Sequence, residues 1–204
     1  MDIRRQVQLL FELSSMRFVQ RGLKQFLAPN VTNIAEHTYR VQWIALLLGK
    51  MEGLNEQELG KIAIMAMSHD CSEIRTGDVN YISRLYTKRN EPEAMQDTFG
   101  GTELHEIIEP LFHEAEAKES IFAKIVKDAD NLDVDLEFKE LEAMGWPVPE
   151  VLVATRLHVY EQKLFTKSAK LIWEQIQKSS PHDWHGKNKN RLNSGDWTDK
   201  NRSL

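Results

Sequence analysis

Apolar residues recur along most of this chain with the period of a helix rather than the alternation of a strand. Glycine, proline and asparagine divide that pattern into segments. The first predicted helix covers residues 3–19, with Val7, Leu10, Phe11 and Ser14 at helical spacing. Irregular chain is expected around Arg21-Gly22 and Ala28-Pro29-Asn30. A second helix is predicted over residues 34–51, stopping near Gly53. Asn55 with Glu58 forms the capping-box pattern that opens a third. This third helix is expected to continue through residues 65–73 and end near Gly77. The polar stretch 77–101 carries Tyr81, Arg84, Tyr86, Lys88 and Arg89, and reads as a short helix or loop able to act as a lid. Further helices are predicted over residues 102–117, 120–144 and, after Pro147 and Pro149, a single one over 149–177. The fold class is therefore all-α: one helical bundle over residues 1–178, followed by a polar tail at 179–204. Pro181, Gly186 and Gly195 make that tail poor core material, though Trp184 and Trp197 are candidates for packing on the body or on a partner subunit.

Three of these helices carry ionisable residues on their apolar faces. His37 shares a stripe with Val41, Ile44, Ala45 and Leu48. Leu59, Ile62, Ala63 and Ala66 lead to His69, Asp70 and Glu73. Phe122 and Val126 lead to Asp130 and Asp133. A buried carboxylate without a partner is costly, and three such stripes meeting would compound the cost. A divalent cation resolves it, because neutral imidazole and ionised carboxylate are its ligands. The cluster Asp128, Asp130, Asp133 and Asp135 is not a calcium loop: Leu132 takes a donor position, no turn glycine follows, and Lys139 stands where a bidentate Glu is needed. Asp128 and Asp135 read as solvated helix-face charges. His105, His113 and His158 form no second ligand set, and Cys71 reads as a small packing residue.

Composition narrows the picture further. The chain has 204 residues, 41% of them hydrophobic, enough for one domain with a core. A net charge of −5 argues against a protein built to coat nucleic acid. One cysteine excludes an intrachain disulfide. No apolar stretch is long enough for a signal peptide or membrane span, so a cytoplasmic protein is expected, with no membrane partner.

The pattern His37, His69-Asp70, Asp130 resembles the HD phosphohydrolase superfamily. More narrowly, Ala35-Glu36-His37-Thr38-Tyr39-Arg40-Val41, His69-Asp70-Cys71-Ser72-Glu73-Ile74-Arg75-Thr76-Gly77-Asp78 and Val126-Lys127-Asp128-Ala129-Asp130 resemble its 5′-deoxynucleotidase branch. His-Asp-x-x-Glu followed by Gly-Asp is the most specific element, and the likeness spans residues 3–177. The resemblance implies an all-helical, usually dimeric enzyme with one divalent metal (Mn, Co, Mg, Fe, Ni or Zn). It implies hydrolysis of nucleoside 5′-monophosphates to nucleoside and phosphate. His37, His69, Asp70 and Asp130 would be metal ligands, Glu73 the catalytic acid/base, and Asp78 a second acidic residue near the substrate. Arg21 would bind phosphate. One departure concerns the sugar: the branch often has tryptophan at or shortly after that arginine, whereas Gly22 and Leu23 follow here.

A metal would lower the pKa of a water and bind a phosphoryl oxygen, and Arg21 would grip the remaining oxygens with its planar fork. Glu73, one helical turn after His69, is placed to orient the water or take its proton. Asp78 is placed either to protonate the leaving sugar oxygen or to hold a sugar hydroxyl. Three alternatives remain at this level. The substrate could be another nucleotide: a triphosphate, a cyclic nucleotide or (p)ppGpp. The chain could be a non-catalytic helical module stabilised by metal, or could bind nucleic acid through its tail.

Overall fold

The computed structural model describes residues 2–27 and 31–186 and contains helices joined by short turns. Among these residues the only β pairing is an isolated antiparallel bridge between Gln20 and Asn33. Helix α1 spans Ile3–Ser15, α2 Ile34–Met51, α3 Glu56–Ser68, α4 Glu73–Thr76 and α5 Glu91–Phe99. Then come α6 His105–Ala117, α7 Ile121–Ala143, α8 Glu150–Gln162, α9 Lys167–Lys178 and the short α10 Asp183–Gly186. No helix of the described residues is long and apolar enough to cross a membrane.

The centre of the molecule is α2 packed against α3 and α7. Val41, Ala45, Leu48, Ile62, Ile125 and Leu132 are fully buried there. Local chemistry starts these helices where the sequence indicates. Asn33 and Asn55 both close reciprocal capping boxes, with Glu36 and Glu58 respectively, and Ser120 accepts from the Ala123 amide at the head of α7. A second apolar cluster, including Leu9, Met95, Phe99 and Phe112, fixes α1, α5 and α6 beside this centre.

Several expectations are corrected. Helix α1 ends at Ser15, and a 3₁₀ turn covers Met16–Phe18. Its inward side chain is Leu9, whereas Val7, Leu10 and Phe11 are exposed. Polar anchors decide which way the helix faces. Arg5 donates to the carbonyls of Asp97, Thr98 and Gly100 at the end of α5, and Glu12 pairs with Arg75. The third helix stops at Ser68 rather than near Gly77; tight turns follow, with the Cys71 amide on Ser68 O and the Glu73 amide on Asp70 O. The segment after Gly77 holds a 3₁₀ turn at Ser83–Leu85 and then α5. Trp184 lies exposed in α10, while Trp197 and residues 28–30 fall outside the described chain.

The largest correction concerns acidic residues. Asp128 and Asp135 are buried, not solvated. Asp135 takes both ends of the Arg156 fork, at 3.1 and 2.6 Å. Asp128 accepts from the Phe165 and Thr166 amides, each at 2.8 Å, and from the Thr166 hydroxyl at 2.7 Å. Those bonds divide the single helix expected over 149–177 into α8 and α9, because the amides that would continue it are committed to α7. Asp128→Ala leaves the Phe165 and Thr166 amides without a partner, and loss of about 2–4 kcal/mol is expected. A urea unfolding midpoint unchanged from wild type would show that the Asp128 bonds contribute nothing to stability.

Candidate active site

The turns after α3, the buried face of α2 and the middle of α7 meet at one point. His37 comes from α2, where Asn33 caps the helix and sets its register. His69 and Asp70 leave the end of α3, and Asp130 projects from α7. One ligand atom from each of His37, His69 and Asp70 lies within 4.8 Å of the others. The two Nε2 atoms are 3.3 Å apart, and Asp70 Oδ2 is 3.4 Å from His37 Nε2 and 3.2 Å from His69 Nε2. Asp130 adds Oδ1 at 3.3 Å from His37 Nε2, while Lys127 holds its Oδ2 at 2.6 Å.

The outer nitrogens explain why the inner ones converge. His69 Nδ1 donates to Ala66 O at 2.7 Å, and His37 Nδ1 donates to Asp133 Oδ2 at 2.6 Å. With those protons placed outward, the neutral rings aim two Nε2 lone pairs and carboxylate oxygens at one another. That arrangement is repulsive unless a proton or a cation sits among them. Ligands about 2.0–2.1 Å from a tetrahedral ion lie about 3.3 Å apart, which is the observed Nε2 separation. The donor set therefore fits a divalent transition metal.

Electrostatics points the same way. Burial alone would lower the His37 pKa, but hydrogen bonds to Asp130, Asp133 and Asp70 outweigh it and hold it well above the usual value. Burial would raise Asp70 and Asp130; the imidazoles, with Lys127 for Asp130, pull both below the ordinary carboxylate range instead.

Beside this cluster is a cavity of about 380 Å³, walled among others by Arg21, Glu73 and Asp78, a size suited to a nucleotide-sized ligand. Arg21 lies between 3₁₀ turns, is 8% exposed, and has Nη1 3.8 Å from Asp70 and 3.7 Å from Asp78. Its Nε has no partner. Glu73 opens α4 and is 5% exposed, with Oε1 held by Arg89 and Oε2 unpartnered. Burial, then the charges of Asp70 and Asp78, push its pKa to about 9 despite Arg89 and Arg21. Asp78 Oδ2 accepts the Gly22 amide at 2.8 Å. A Cβ at Gly22 would come within 2.7 Å of the Asn80 nitrogen and 2.9 Å of the Asp78 oxygen. The position after Arg21 thus has no room for an aromatic side chain, because the backbone of residues 78–80 fills it.

The residues expected to carry the chemistry, Arg21, His37, His69, Asp70, Glu73, Asp78 and Asp130, come together here. Of the expected lid residues, Tyr81, Arg84 and Arg89 line the cavity, and Tyr81 also packs on Phe26 at 5.2 Å between ring centroids. Cys71 is buried, and burial pushes its thiol up to about 12. Two partners were missed: Asp133, read only as part of a stripe, and Arg40, whose Nε reaches Asp133 Oδ1 at 2.6 Å. Their signal was the paired spacing of His37 with Arg40 on one helix and Asp130 with Asp133 on another.

Comparison with known proteins places this fold among HD domains. The HD-domain family model matches residues 13–173. The chain is 30% identical to the 5′-deoxynucleotidase HDDC2 of Danio rerio over 146 residues, 68% of each protein. It is 33% identical to the dATP triphosphohydrolase of Salmonella phage PMBT28 over 76 residues, 33% of this chain and 39% of that protein. Among solved structures it resembles the cyanophage S-2L HD phosphohydrolase DatZ, bound to dA and one catalytic Zn²⁺ ion. That match has a TM-score of 0.55 and 19% identity, covering 83% of this chain and 96% of that one.

The Asp133 carboxylate orients His37 from behind, as outer-shell partners of metal-binding imidazoles do. Asp133→Asn is expected to weaken divalent-metal affinity by about 10–100-fold, read by competition with a chelating dye. Unchanged affinity would mean that the pair serves packing alone.

Proposed function

This chain belongs to the HD-domain family, and on that premise we propose that it hydrolyses (deoxy)nucleoside 5′-monophosphates to nucleoside and inorganic phosphate. The family's metal-dependent phosphohydrolase chemistry is common ground; the monophosphate substrate is our reading. The observation that carries it is the facing pair of imidazole Nε2 atoms beside a buried arginine with an unpartnered Nε. A metal dication next to a guanidinium is a receptor for a phosphate dianion.

In this reading His37, His69, Asp70 and Asp130 hold the metal, which when bound supplies Lewis acidity toward the phosphoryl group and makes a water more acidic. Arg21 grips phosphate oxygens with the nitrogens that Asp70 and Asp78 leave free. Glu73 offers Oε2 to the attacking water; the charge of a dication held beside it would offset the burial and the Asp70 and Asp78 charges that raise its pKa, leaving the carboxylate ionised to take the water's proton. Asp78, fixed by the Gly22 amide, meets the sugar end of the substrate. The relative from Danio rerio supports the monophosphate substrate, since its likeness extends over 68% of both chains. Because no aromatic ring follows Arg21, we expect ribonucleotides to be accepted alongside deoxyribonucleotides.

A second reading, hydrolysis of nucleoside triphosphates, has two supports: the phage relative and the additional cations Arg84, Lys118 and Lys127 on the cavity wall. The products separate the two readings.

We further propose one catalytic unit through residue 178 with 179–204 appended, working as a homodimer. The support for pairing is the outer stripe of α2, where Tyr39, Trp43 and Leu47 are 63%, 61% and 51% exposed at one-turn intervals. Light scattering of the purified protein tests it, a monomeric mass removing the dimer.

The defining assay is phosphate release from deoxy- and ribonucleoside 5′-monophosphates with Co²⁺ or Mn²⁺ added, and with chelator as control. Metal-dependent release of inorganic phosphate is expected; release of triphosphate from a triphosphate substrate alone would install the second reading. Asp70→Ala should abolish activity and metal binding together. Glu73→Ala should lose at least about 100-fold in kcat while keeping the metal; metal lost in that variant would make Glu73 a ligand instead.

A further inference from the structure

Arg89 sits at the far end of the loop that follows Gly77, sixteen positions beyond Glu73 in sequence, yet its guanidinium returns to that carboxylate. Nη1 donates to Glu73 Oε1 at 2.9 Å and to Gly77 O at 3.3 Å, while Nη2 pairs with Glu91 at 2.5 Å. The side chain is 14% exposed, so these are not solvent-screened surface contacts. Glu73 is anchored at one oxygen only, because Oε2 is buried without a partner.

From this geometry we propose that Arg89 is the positioning residue of Glu73: it fixes Oε1 and so presents Oε2 to the attacking water. The inference rests on the hydrolytic reading above. A planar fork with several donors can hold the carboxylate, the Gly77 carbonyl and Glu91 together, which a single ammonium cannot reproduce with the same geometry. The same contacts tie the loop down at both ends. Near its start, Asp78 is fastened to the Gly22 amide; at its end, Arg89 is fastened to Glu73 and Gly77. Without Arg89, a buried carboxylate beside Asp70 and Asp78 would have no cation bonded to it, and among the described residues no other side-chain hydrogen bond fixes its rotamer. Arg89 acts through Glu73 and needs no contact with the substrate.

The test compares wild type, Arg89→Met and Arg89→Lys as metal-loaded full-length protein. Substrates are the nucleoside monophosphate panel and p-nitrophenyl phosphate, which requires no recognition of a nucleoside. Arg89→Met is expected to lower kcat by about 10–100-fold, with KM within about twofold and metal stoichiometry unchanged. Arg89→Lys should recover part of kcat. A raised KM with kcat preserved would overturn the proposal, because Arg89 would then grip the substrate. Loss of bound metal, a kcat drop explained by unfolding at the assay temperature, or wild-type kinetics in Arg89→Met would overturn it as well. A wrong nucleotide assignment looks different: wild type would turn over p-nitrophenyl phosphate but no nucleoside monophosphate, and the Arg89 comparison would still be read on the simple ester. Wild type inactive on both would overturn both readings.

Discussion

The structure depends on a concentration of unlike groups at the crossing of α2, the end of α3 and α7. Two imidazole nitrogens 3.3 Å apart and two carboxylates share a small volume where apolar side chains would pack more cheaply. Such a cluster persists only if something positive occupies its middle and if its outer atoms are bonded. The second condition is met by the structure itself. The outer imidazole protons go to Asp133 and Ala66 O, and Arg40 neutralises Asp133 in turn. The buried charge therefore extends outward in alternating sign from the cluster through Asp133 to Arg40 and on to Glu140. Each member is costly alone and tolerable in sequence.

That dependence explains which parts of the fold were legible in the sequence. His37, His69, Asp70 and Asp130 stood out because each interrupts an apolar stripe, and a helix of known register turns such a stripe into a direction in space. The Asn55–Glu58 pattern marked the start of α3 by purely local chemistry, and the structure adds an Asn33–Glu36 capping box at the head of α2 that was not predicted. Contacts between segments distant in sequence carried no such signal. Asp128 looked like a solvated charge because nothing near it indicates that Phe165 and Thr166 bring their amides to it. The same long-range bond hid the break between α8 and α9. In α1, periodicity placed Val7, Leu10 and Phe11 inward, but Arg5 and Glu12 hold the helix rotated onto Leu9. Where a polar anchor of long sequence separation competes with an apolar stripe at the surface, hydrophobic pattern alone misjudges the face.

Two kinds of support hold the site. His37 of α2 and Asp130 of α7 ride on long helices whose neighbours are fully buried, such as Val41, Ala45 and Ala129. Arg21, Glu73, Asp78 and Arg89 ride instead on short turns and the loop after Gly77. Close-packed interiors resist small displacements, whereas turns held by a handful of polar bonds yield more readily. His37 and Asp130 are therefore held most stiffly, while His69 and Asp70 just past the end of α3, and the side chains on the turns, depend more on polar bonds.

Gly22 shows how tightly the second group is nevertheless constrained. Its amide carries Asp78, and its missing side chain lets the backbone of residues 78–80 approach closely. Any larger residue would push that loop away from Arg21 and shift the carboxylate that sits 3.7 Å from the guanidinium. Arg89 fastens the other end of the same loop to Glu73. Glu73 and Asp78 are thus mechanically linked through one stretch of chain. A displacement of the loop at Asp78 therefore also pulls on Arg89, the group that holds Glu73, through covalent connection rather than through a path of packed side chains.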